Sequence, residues 1–73
     1  MKYDVDSFGK NLKYYMVKRD VSGQELAEKM YVNAKQISAW RHGRHIPLMD
    51  NLVRLAEVLD VSLDELFTKN ERK

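Results

Sequence analysis

No cysteine occurs in the 73 residues, so neither a disulfide framework nor a thiolate metal site can exist, and the chain suits a reducing cytosol. Apolar runs are only a few residues long, far short of the roughly 20 that a membrane-spanning helix needs. The opening MKYDVDSFGKN has acids at Asp4 and Asp6 and no apolar centre, so it does not read as a secretory signal. β-Branched runs and Asn-Gly hairpin signals are missing, which argues against a sheet. Acidic residues are missing locally as well. From Lys29 to Met49 there is no Asp or Glu, while Lys29, Lys35, Arg41, Arg44 and both histidines stand there. From Asp50 to Thr68 the balance reverses, with five acids against Arg54 alone. The net charge of +2 is modest, yet one end of the chain is positive and the other negative. These absences describe a cytoplasmic protein with no membrane contact.

What is present is helical pattern. With 44% hydrophobic residues in so short a chain, residues 1–73 form one domain, near the lower limit at which a core alone sustains a fold. One helix-start signal occurs at Val21–Leu26 (VSGQEL), Val32–Ile37 (VNAKQI) and Val61–Leu66 (VSLDEL). Each has an apolar residue, a Ser or Asn N-cap, an acid or amide three residues on, and an apolar residue after it. That is a capping box with a hydrophobic staple. The first two copies lie eleven residues apart, which leaves about two turns of helix before Tyr31 and Val32 must reverse the chain. Two short helices joined tightly are the expectation.

Around this pair, Val5, Phe8, Leu12, Tyr15 and Met16 give a first helix its apolar stripe, with Lys10, Lys13, Tyr14 and Val17 facing away and Asp4 or Asp6 able to cap it. Beyond Pro47, Met49, Leu52, Leu55, Ala56 and Leu59 predict a fourth helix, and Ser62 with Glu65 caps a short fifth. The charged tail Thr68–Lys73 is expected to fray. In the third helix Ile37 and Trp40 share one side, while Lys35, Ser38, Ala39 and His42 point the other way. A short cationic helix with slim outward side chains suits a nucleic-acid groove. His42 and His45 form an H-x-x-H, but with no cysteine and no nearby carboxylate a metal site lacks ligands. Gly43 is expected to end the third helix in the left-handed conformation. No catalytic arrangement and no cofactor site is recognisable.

Ser22, Glu25, Leu26, Ala27, Val32, Ile37 and Gly43, followed by Pro47, Leu52, Leu55, Ala56, Leu59 and Val61–Leu66, resemble the Cro and phage-repressor type (Xre-like) helix-turn-helix regulators. Phe8–Lys13 is similar to that family's first helix, so the resemblance spans roughly residues 7–67. It implies an all-α, compact five-helix lambda-repressor-like domain with the helix-turn-helix at helices 2 and 3, about residues 22–42. The chain departs from the family pattern at a few places. Gly23 stands where a phosphate-touching Gln is common, Asp20 and Tyr31 where Gly is frequent, and Met16 with Arg41 where an ion pair often joins the first and third helices.

The resemblance implies a sequence-specific double-stranded DNA-binding regulator, most simply a repressor, acting as a homodimer on a palindromic operator. On the third helix, Lys35 and Ser38 are the candidates for base edges, and Ala34 and Ala39 for thymine methyl groups. Asn33, Gln36, His42 and Arg44 would meet phosphates, as would Gln24 with the free N–H groups beside it. Leu63 and Phe67 are the candidates for dimerisation. Two other readings keep the same fold: an antitoxin or controller protein that also binds a protein partner, and an interaction module that no longer binds DNA.

Overall fold

The computed structural model describes residues 2–69, and within them the chain forms a 3-10 turn at Val5–Ser7 and five α-helices. These are α1 (Phe8–Lys18), α2 (Gly23–Met30), α3 (Ala34–Arg41), α4 (Met49–Leu59) and α5 (Leu63–Phe67). All three predicted capping boxes are formed, by Ser22 with Glu25, Asn33 with Gln36, and Ser62 with Glu65. At the last of these, the backbone N–H of Ser62 leads in holding the Glu65 carboxyl below its ordinary pKa, helped by the Ser62 and Tyr15 hydroxyls.

The valine in each signal has a second task at the end of the preceding helix. Asp20, Tyr31 and Asp60 all adopt left-handed backbone, with φ of 56°, 57° and 54°. The next residue in each case, Val21, Val32 or Val61, donates its N–H to the carbonyl of Met16, Ala27 or Ala56 at 2.9–3.0 Å. This is the Schellman closure, and it satisfies carbonyls that a helix end leaves open. One short run of residues therefore stops one helix, aims the next and caps it. Gly43 adopts φ 71° after α3, as expected, and the Arg44 N–H closes on Ala39 O at 3.0 Å.

Tyr31 is the bulky exception among these turns. Left-handed backbone costs an L-residue about 1–2 kcal/mol, and Asp tolerates it better than an aromatic residue does. Its side chain is 91% exposed and loses little if removed. Tyr31→Gly is therefore expected to stabilise the protein by about 1 kcal/mol, read as a raised urea midpoint. An unchanged or lowered midpoint would show that the turn is relaxed around tyrosine.

The helices enclose one apolar cluster in which Trp40, Phe8, Leu12, Leu26, Met30, Ile37, Leu55, Leu59 and Leu66 are almost wholly buried. Trp40 is thus a core residue. Two expected core positions are exposed instead. Val5 lies in the 3-10 turn ahead of α1, outside that helix's periodicity, and Met49 opens α4 at the rim. Burial at Gly9 explains how α1 and α3 come so close: a Cβ there would stand 2.6 Å from the Arg41 carbonyl oxygen.

Polar side chains fasten the remaining joints. Asn11 is buried and donates from Nδ2 to the carbonyls of Leu66 (3.0 Å) and Thr68 (2.7 Å), tying α1 to the end of α5. Arg19 caps α4 by donating to Leu59 O (2.8 Å) and Asp60 O (3.1 Å). Arg54 reaches Met30 O at the end of α2 (3.3 Å). The start of the predicted tail is not frayed: Thr68 pairs with Tyr3 in an antiparallel bridge, and the Lys69 N–H donates to Lys2 O at 2.8 Å. The rest of that tail lies outside the described residues. Among the described residues no helix is long and apolar enough to cross a membrane.

Candidate nucleic-acid interface

The outward face of α3 is created by its own burial pattern. Ile37 and Trp40 anchor the helix in the core, which leaves Ala34, Lys35 and Ser38 facing outward, with His42 following at the C-cap. Ala34 and Lys35 are exposed and Ser38 is half-buried, so this side of the helix presents one long cation between two slim side chains. Such a profile can enter a major groove without steric conflict, and Lys35 can then reach base edges.

Ala39 does not share that face. It is only 8% exposed, and the chain after Gly43 turns back to close on its carbonyl. Its assignment as a thymine contact is corrected accordingly. Asn33 and Gln36 are exposed at the start of α3, but both are engaged in capping. Asn33 Oδ1 accepts from the Lys35 N–H at 2.6 Å, and Gln36 Oε1 accepts from the Asn33 N–H at 3.2 Å. Either side chain has donors left for a phosphate, yet removing it would also loosen the helix start.

His42 is held in place by its own helix. Its Nδ1 lies 2.7 Å from Ser38 O, an atom that only accepts, so Nδ1 carries the proton and donates. The Ser38 hydroxyl is a further 3.4 Å contact of the same nitrogen. Nε2 is consequently the ring nitrogen open to a ligand. Arg44 and His45 are exposed on the loop beyond, and Gln24 is exposed at the start of α2. There the first intrahelical bond is Leu26 N–H to Ser22 O (3.0 Å), so the N–H groups of Gly23 and Gln24 project from the helix end.

Lys13 and Arg41 are cations that the sequence left open between a solvated surface and a phosphate contact. With His42 they line a notch of about 270 Å³. The cations in the rest of the protein are not all alike, since Arg19 and Arg54 are occupied by helix ends. The signal for Arg41 was its place in a pair of departures, Met16 and Arg41, that leaves it without the usual carboxylate partner.

The dimer candidates are less exposed than expected. Leu63 and Phe67 are half-buried against the core, and the Phe67 ring stacks on Phe8 with centroids 5.2 Å apart. The exposed large apolar side chains on this side belong to α4 and its approach: Leu48, Met49 and Val53. Leu63 does line a groove of about 440 Å³ between α4 and α5, with Val53 and Val61. Among the described residues no group of His, Asp and Glu is arranged to hold a metal ion.

Comparison with known proteins agrees with this geometry. Residues 12–66 match the family model described as Helix-turn-helix. The HTH-type transcriptional activator BcrR of Enterococcus faecalis is 30% identical over 64 residues, 88% of this chain. This chain spans 31% of that relative's length. The restriction-modification controller protein C.AhdI of Aeromonas hydrophila superposes with a TM-score of 0.79 at 25% identity, over 88% of this chain and 97% of that one. The N-terminal DNA binding domain of SinR from Bacillus subtilis gives 0.80 at 28% identity, over 92% and 99%.

Proposed function

The chain belongs to the helix-turn-helix family, of the Xre and lambda-repressor-like kind, and from that premise we propose that it regulates transcription by binding a palindromic DNA operator as a homodimer. The observation that carries the reading is the outward face of α3, cationic, slim and free of acids, on a helix fixed from behind by Ile37 and Trp40. Lys35 reads a base, Ser38 and Ala34 fit the groove wall, and Arg44, His42, Gln24 and the caps of α3 hold the phosphates on either side. Repression is the simplest mode, because occupying an operator needs no further surface. It acts in the cytoplasm, by binding and without catalysis.

A single α3 touches too few bases for tight selection, whereas a two-fold pair doubles them. The side of the molecule formed by α4 and α5 supports the pairing, with Leu63 in its groove and Met49 and Val53 exposed beside it. Phe67 contributes mainly through Phe8 and is a poor place to test assembly. The controller role is a second reading, favoured by the superposition over 97% of C.AhdI.

Selection of genomic fragments with the purified protein tests the proposal. The expected sites are two-fold symmetric, with half-sites about 34 Å apart. Lys35→Ala should relax preference at one base pair in each half-site and weaken binding by about 1–3 kcal/mol. Failure to enrich any motif would remove the regulator reading, and an unchanged motif with Lys35→Ala would remove Lys35 from base recognition.

A further inference from the structure

Among the described residues, the Nε of Arg41 is buried and has no hydrogen-bond partner, which is costly for a group that bonds strongly whenever it can. No acid occurs within Lys29–Met49 to supply one locally. The guanidinium is held against the start of α2: a methyl group placed on Gly23 would lie 3.9 Å from Nη2. The guanidinium thus lies at ordinary contact distance from the helix end, where the Gly23 and Gln24 N–H groups project. Arg41 also lines the notch of about 270 Å³ together with Lys13 from α1 and His42 from the end of α3. Two cations from two helices thus share one notch, with the His42 ring beside them, and neither cation is an acceptor for the other.

We propose that this notch is a phosphodiester-binding site that clamps the DNA backbone, with Arg41 as its principal ligand and Lys13 as a flanking donor, joined by His42 Nε2 only when that ring is doubly protonated. The inference rests on the regulator reading and adds a contact to it. Arg41 becomes a DNA ligand, and the exposed loop cation Arg44 is no longer the main anchor. A guanidinium offers two parallel N–H groups to one phosphate, whereas an ammonium acts as a point charge. The site fixes how α3 sits in the groove and reads no sequence.

The test uses the full chain and a duplex recovered by the selection above, beside a scrambled duplex of equal length. For Arg41→Met, the slope of log affinity against log salt should fall by about one unit on both duplexes. Affinity near 0.1 M salt should drop about tenfold on both. Arg41→Lys should restore the slope but only part of the affinity. A purely structural Arg41 would leave the slope intact, and that result overturns the proposal.

Should Arg41→Met fail to fold, the unmodified protein gives the answer by NMR. On adding duplex the Arg41 Nε–H resonance should shift, while that of Arg19, bonded to Leu59 O, should not. An unmoved Arg41 resonance in a protein that binds duplex overturns the clamp alone. A protein that binds no duplex overturns the regulator reading and the clamp together.

Discussion

Replacing Gly9 with alanine is expected to destabilise the protein by about 2–3 kcal/mol, a large share of what so small a domain possesses. The added Cβ would lie 2.6 Å from Arg41 O and 3.1 Å from both Trp40 O and Gly43 N. All three are backbone atoms, so no rotamer change relieves the contact. The Arg41 carbonyl cannot retreat freely either, because the chain just beyond it is pinned by the Arg44 N–H on Ala39 O. α1 must therefore lift away from α3 and loosen the packing of Phe8 and Trp40. The small helix-propensity gain of alanine over glycine, up to about 1 kcal/mol, offsets only part of this. A fall in melting temperature of about 10–20 °C follows for a chain of this length. Gly23→Ala is the control, since its Cβ would meet only ordinary contacts at 3.8–4.0 Å. If both variants melt like the parent, the close approach of α1 and α3 is not what this structure says it is.

A comparable loss is expected from Asn11→Leu. The substitution keeps the branching and the number of heavy atoms but removes both donors from Nδ2, leaving Leu66 O and Thr68 O without them in a largely buried place. A stranded buried acceptor costs about 1–3 kcal/mol, so about 2–4 kcal/mol is expected for the pair. The damage should be local before it is global. Hydrogen exchange should quicken first at the amides of Asp4 and Lys69, whose bonds to Phe67 O and Lys2 O close the same end of the molecule. Uniform loss of protection across all helices would mean that Asn11 acts on the core as a whole.

The capping signals were fully legible, because a cap is a local device whose residues are close in sequence. The joints between distant helices were not. Asn11 lies among apolar positions on α1, and nothing near it in sequence tells that its partners are two carbonyls some 55 residues away. Arg19 and Arg54 look like surface cations until the helix ends they cap are in view. The same blindness affected the interface. Periodicity alone turned Ala39 outward, whereas in the fold it is buried beside the turn at Gly43 and Arg44. It also left Arg41 undecided between solvent and phosphate, since the burial of its Nε shows only in the folded chain. Lys35, by contrast, was placed correctly on the outside, because Ile37 and Trp40 fix the rotation of so short a helix.

The pairing of Lys2 with Lys69 and of Asp4 with Phe67 has a topological consequence. The segment from Lys2 to Lys69 is a ring cut at one place, and the cut can be moved. Joining Lys69 to Lys2 by a few residues and reopening the chain between Arg44 and His45, beyond the closure on Ala39 O, would leave the helix contacts in place. The same adjacency bears on larger architectures. A second module joined directly before Lys2 or directly after Lys69 would start from neighbouring points on the surface.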